Sequence, residues 1–134
     1  MFKLIKIQNS GVNVPELVKL EKPSDIIIKP GEALLLTDGV VDKCPATVKP
    51  THIAFSYGKY EENSVVVFEI SSNMLFEVPV DDDPMSLLIG DKLELAYDGD
   101  DCAVFVSAVG ANGVATIVDL MGVAYGENKI IVKF

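Results

Sequence analysis

Few side chains in this 134-residue chain are of types that carry out covalent or acid–base chemistry. His52 is the single histidine, in Pro50-Thr51-His52-Ile53, and Cys44 and Cys102 are the only thiols. A cysteine nucleophile needs a base within hydrogen-bond reach and a third group to orient that base. No local signature sets either cysteine beside His52, so nothing beyond the residue types supports a Cys–His enzyme, and His52 reads as a strand-end histidine. The two cysteines form no CxxC pair and have no histidines clustered with them, which argues against zinc. A Cys44–Cys102 disulfide stays open but unsupported, since nothing else suggests an oxidising compartment. Asp81-Asp82-Asp83 and Asp98-Gly99-Asp100-Asp101 concentrate carboxylates in loops, as calcium sites do, but neither has the spacing or the closing glutamate of an EF-hand. Asp and Gly are favoured in turns for backbone reasons, and Glu61-Glu62-Asn63 reads the same way. The glycines make no phosphate-cradling loop, and no GxSxG or HExxH phrase occurs. The expectation is a chain without enzyme activity, metal or cofactor.

Composition narrows the partners. Twenty acidic residues face eleven basic ones, all lysine, for a net charge of −9. Binding a phosphate backbone needs clustered cations, so a nucleic-acid partner is not expected. No apolar run reaches the roughly 18–20 residues of a membrane helix. The opening Met1-Phe2-Lys3-Leu4-Ile5-Lys6 is interrupted by lysine, unlike a signal peptide. Hydrophobic residues make up 49% and charged residues 23%, the profile of one globular domain.

The elements that must hold these residues read as strands joined by tight turns. Lys92 to Tyr97 alternates polar and apolar, the period of a half-buried strand. Asp98-Gly99 follows as a hairpin dipeptide, then Cys102–Ala108, the turn Asn112-Gly113, and the run Val114–Met121. Gly122–Asn128 reads as a loop, and Lys129–Phe134 closes the chain as a strand. Earlier, Ile26–Ile28 ends at Lys29-Pro30-Gly31, a turn. Ala33–Thr37 and Val40–Cys44 flank Asp38-Gly39 as a hairpin. His52–Ser56, Ser64–Ile70 and Met74–Val78 are further strands, with Ser64–Ile70 the richest in β-branched residues. Met85–Ile89 reads as one helical turn or a strand approach; no segment of ten or more residues has a clean 3.6 period, and Val12–Lys22 contains the best helical fragment, bracketed tightly by Pro15 and Pro23. Short strands with turn signals every eight to twelve residues predict a mainly β chain, a small barrel or sandwich of antiparallel strands.

Residues 1–23 stand apart in this reading. They are apolar and extended yet have no hairpin partner close in sequence. One reading makes them an extended N-terminal arm ahead of a barrel domain at 24–134; the other makes them the first strand of the barrel. An arm with unpaired backbone groups suits strand addition to another chain. Lys3, Ile5, Ile7, Val12, Val14 and Leu17 would then be its contact residues. A mean hydropathy of +0.34 is high for a small monomer and points to apolar surface covered by a partner.

Several phrases together resemble a known family. Val14-Pro15-Glu16-Leu17 precedes Lys29-Pro30-Gly31-Glu32-Ala33-Leu34 and Thr37-Asp38-Gly39-Val40-Val41-Asp42-Lys43-Cys44. Pro50-Thr51-His52-Ile53-Ala54, Leu88-Ile89-Gly90-Asp91-Lys92-Leu93 and Gly113-Val114-Ala115-Thr116-Ile117-Val118 follow. Over residues 12–134 this order is similar to the small head-decoration, or capsid-cement, proteins of tailed phages and prophages. The resemblance implies a β-barrel with an N-terminal arm and no enzyme activity. It implies binding to the outer surface of the virion capsid, with the major capsid protein as partner and a homotrimer as the assembly. A different class of reading is a β-domain that binds carbohydrate through Tyr57, Tyr60, Tyr97 and Tyr125, although the chain has no tryptophan.

Overall fold

The structure, a computed structural model, describes residues 1–8, 11, 14–108 and 112–134. Among the described residues the strands are β1 (Lys3–Ile7), β2 (Val18–Glu21), β3 (Ala33–Thr37), β4 (Val40–Lys43), β5 (His52–Ala54), β6 (Ser64–Glu69), β7 (Met74–Pro79), β8 (Lys92–Leu93), β9 (Leu95–Tyr97), β10 (Ala103–Val106), β11 (Ala115–Asp119) and β12 (Lys129–Lys133). A 3-10 turn at Pro84–Ser86 and a four-residue helix, α1 (Met121–Ala124), are the helical elements among the described residues. The chain is mainly β, as its pattern of short strands and turns predicts.

The first half closes into a five-stranded barrel in the order β2-β4-β3-β5-β6. Closure rests on β2, which pairs antiparallel with β6 over four residues and parallel with β4 at Glu21 and Val40. The β3–β4 hairpin turns at Asp38 and Gly39, both with positive φ (52° and 83°). That is the backbone an Asp-Gly turn supplies because its twist matches that of the strands. The second half is a sheet in the order β1-β7-β12-β11-β8, with β9 and β10 paired beside it.

Two apolar clusters follow from this. Ile28, Leu34, Val41, Ala54, Val65 and Val67 fill the barrel. A larger cluster lies between barrel and sheet and includes Phe2, Ile53, Phe68, Phe76, Leu93, Ile117, Ile130 and Val132. Phe68 of the barrel stacks on Phe76 of the sheet with ring centroids 6.3 Å apart. β5 is therefore buried on both faces, which is why His52-Ile53-Ala54 reads as a continuous run rather than an alternation.

One expectation is corrected here. Residues 1–23 are not a separate arm: β1 pairs with β7 and β2 completes the barrel. The boundary at 23/24 accordingly falls inside the fold, and the closed barrel is β2–β6 rather than the whole of 24–134. The fragment within Val12–Lys22 forms no helix among the described residues. Pro15 and Pro23 leave room only for the strand Val18–Glu21, whose residues find a ladder on β6.

Candidate binding surface

The N-terminal strand is fixed from its first residues. Phe2 is buried, with its ring against Phe134 and Phe76 at centroid distances of 5.3 and 6.4 Å. Its amide donates to the Gly31 carbonyl at 2.9 Å. Gly31 has φ +78°, and the Met1 side chain occupies the space that a Cβ there would take. Both facts require glycine in the Pro30-Gly31 turn.

From Phe2 the chain runs along β7 with a bulge between Leu4 and Lys6. β1 is at the edge of the sheet, and its other side has no strand neighbour among the described residues. Lys3 and Ile5 are exposed on it, while Ile7 packs against the larger core. Val14 is 71% exposed and Leu17 is also exposed; Val12 lies outside the described residues. Val14 and Pro15 meet Met1, Leu4 and Phe55 along one shallow apolar groove floored by Ile53 and Phe68. The fold thus brings Lys3 and Val14 to one groove, whereas Ile5 borders a different depression with Glu77 and Met121. Phe55, 57% exposed, is the groove residue that sequence reasoning passed over. Its one signal was an aromatic placed directly after the buried run His52-Ile53-Ala54.

The chemistry-bearing residues occupy separate environments. Cys44 and Cys102 are both free and buried. Burial pushes the Cys44 thiol up to about 12, and its Sγ donates to the Val48 carbonyl at 3.2 Å. Cys102 lies 3.2 Å from Lys43 Nζ, and burial, with the Glu32 charge behind it, also raises this thiol. A thiol so held is a poor nucleophile, because the thiolate is the reacting form. His52 Nδ1 lies 2.9 Å from Thr51 Oγ1, and burial lowers its pKa from 6.5 against the opposing pull of Glu69. No hydrogen bond among the described residues joins His52 to either sulfur.

Glu32 is a buried charge that the sequence did not flag. Its Oε1 accepts from Lys43 Nζ at 2.9 Å and its Oε2 from the Lys29 amide at 3.0 Å. Burial raises the Glu32 pKa, and the Lys43 hydrogen bond and charge pull it back. Burial lowers that of Lys43, but the Glu32 hydrogen bond and charge outweigh it, so the ammonium is held above its ordinary value. Lys29 Nζ continues the network to Asp98 at 2.9 Å and Asp100 at 2.6 Å. These contacts tie the 27–32 loop to β4 and to the β9–β10 turn.

The acidic loops are used internally. Asp98 Oδ1 accepts from the amides of Asp100 and Cys102, and Asp83 Oδ1 accepts from Met85 N to cap the 3-10 turn. Among the described residues, no three His, Cys, Asp or Glu side chains are grouped as a metal site. Of the tyrosines, Tyr57, Tyr60 and Tyr125 are exposed, whereas the Tyr97 hydroxyl donates to the Cys44 carbonyl at 2.5 Å. No protein-family model, curated protein or solved structure matches the chain.

Proposed function

We propose that this chain is a non-enzymatic head-decoration protein that binds the outside of a phage capsid as a homotrimer and bridges neighbouring major capsid subunits. The observation that supports this most is the edge of β1, unpaired by any strand among the described residues, on the same N-terminal strand that walls the exposed apolar groove of Met1, Val14 and Phe55. An extended capsid segment laid along β1 gains backbone hydrogen bonds, and its alternate side chains enter the groove. Strand addition here uses an edge built into the fold, not a detached arm. Lys3, Lys6 and the bulge discourage two free copies from pairing edge to edge. Each contact is modest, but a subunit that grips several neighbours gains avidity from their fixed spacing.

The test mixes purified protein with immature and expanded shells of the phage that encodes it, followed by light scattering on the eluted particles. Binding that saturates at a fixed ratio to shell subunits is the expected result. No association with either shell overturns the reading. Val14→Asp with Phe55→Asp, both at exposed positions, is expected to abolish binding without changing the melting temperature. Undiminished binding by that variant removes the groove from the interface.

A further inference from the structure

The outer face of the five-stranded sheet carries the opposite charge to the rest of the molecule. Its strands hold Lys3, Lys6, Lys92, Lys129 and Lys133 against Glu77 and Asp119, a surplus of three positive charges. With −9 for the whole chain, everything else carries −12.

The strand register shows where these lysines sit. Lys6 pairs with Leu75, Lys133 with Thr116, and Thr116 with Lys92. The β7–β12 ladder, in which Val132 faces Phe76, carries Lys133 opposite Leu75 at its next step. One row therefore crosses all five strands as Lys6, Leu75, Lys133, Thr116 and Lys92. The neighbouring positions Phe76, Val132, Ile117 and Leu93 are buried, so this row lies on the outer face. All three lysines are exposed. At roughly 4.8 Å between strands, their attachment points recur about every 10 Å. The ion pairs among the described residues involve Lys29, Lys43 and Lys129, and none of these three. The next row is balanced, since Lys3, Glu77, Ile131 and Asp119 stand side by side.

We infer that this lysine row is the face turned toward the shell and that it docks on a carboxylate-bearing patch of the capsid protein. The inference rests on the decoration reading and adds to it the chemistry of the partner surface and the orientation of the bound molecule. A partner that brings carboxylates is repelled by the acidic turns on the remainder of the chain and attracted here, so charge selects one orientation. The row shares its sheet with β1, so a strand added at the β1 edge and a patch under Lys6, Lys133 and Lys92 belong to one continuous contact.

The experiment compares shell binding by wild type, by the triple variant Lys6→Glu, Lys92→Glu, Lys133→Glu, and by a control triple Lys19→Glu, Lys49→Glu, Lys59→Glu. Both triples change the net charge equally, and all six lysines are exposed. The row variant is expected to bind roughly a hundredfold more weakly than wild type, and the control within about threefold of it. The milder Lys6→Gln, Lys92→Gln, Lys133→Gln gives an intermediate loss and stands in if the glutamate triple misfolds. Equal losses in row and control variants mean that net charge alone matters, which overturns the inference and leaves decoration standing. So does undiminished binding by the row variant. Failure of wild type to bind removes the decoration reading itself, and the inference with it. If light scattering shows that the row variant instead breaks apart a free oligomer, a second copy covers the face and the shell assignment is wrong.

Discussion

Glu32 shows what one residue does in this fold. Its carboxylate has no access to solvent and is held by Lys43 and the Lys29 amide. Glu32→Gln leaves the Lys43 ammonium against a neutral amide, and the expected loss in denaturant unfolding is about 2–3 kcal/mol, below that of a fully enclosed pair because Lys43 keeps a quarter of its side chain in water. Glu32→Gln combined with Lys43→Met should recover most of that loss, since removing both charges leaves no uncompensated ion. His52 makes a second test. Its folded pKa lies below the unfolded 6.5, so the neutral ring costs nothing above that value. As pH falls through 6.5 toward the folded pKa the unfolded chain takes up a proton first, and stability declines. His52→Gln should flatten the stability curve in that interval; an unchanged slope would assign the decline to other groups. His52 was legible as a strand histidine, whereas Glu32 passed as part of a turn phrase. Its burial depends on Lys43, eleven positions away on another strand, and on Cys102 beyond that, and no local pattern reports such a meeting.

At the scale of elements, the two ends of residues 1–23 do different work. Phe2 packs against both Phe76 and Phe134, which also touch each other, and β1 follows it onto β7. Phe2→Ala should cost about 3–4 kcal/mol in a denaturant melt, as for other buried aromatics cut to alanine. A cost under about 1 kcal/mol would mean that the segment is loosely held after all. Deleting residues 1–20 removes β1 and most of β2, opens the barrel, and is expected to give an unfolded chain by circular dichroism. That deletion cannot separate binding from folding, and so the surface variants above are the proper test. Local pattern located most strands to within a residue or two: Ala33–Thr37 and the Asp38-Gly39 hairpin were readable because both halves of the signal are adjacent. The pattern of Lys92–Tyr97 predicts one strand, but the segment is two, β8 and β9, which pair with β11 and β10 respectively. Its alternation is continuous, and the change of partner at Glu94 is set by the other strands. Ile26–Ile28, a short apolar burst before the Pro30-Gly31 turn, forms no strand and contributes an isolated bridge from Ile28 to Gly58. Gly122–Asn128 reads as a loop, but α1 occupies Met121–Ala124.

For the molecule as a whole, the decisive strand is β7. Its neighbours in the sheet are β1 and β12, which come from opposite ends of the sequence. The barrel closes in a comparable way, since β2 meets β6 across more than forty residues. Nothing within a short window announces either pairing, which is why the strands were legible and their division into barrel and sheet was not. The same topology constrains folding. Most of the core forms only after distant segments meet, and the loop-closure entropy is lost before the contacts that repay it exist. Refolding from denaturant should therefore take from about ten milliseconds to several seconds, the range of proteins dominated by non-local strand pairing. Stopped-flow fluorescence of the tyrosines would measure it. Removing Lys129–Phe134 should abolish the transition, because β7 and β11 then lose the strand between them and Phe2 loses Phe134. A truncated chain that still refolded on the same timescale would show that the barrel is stable without the sheet, and that Phe68 and Ile53 can be covered by something other than Phe76.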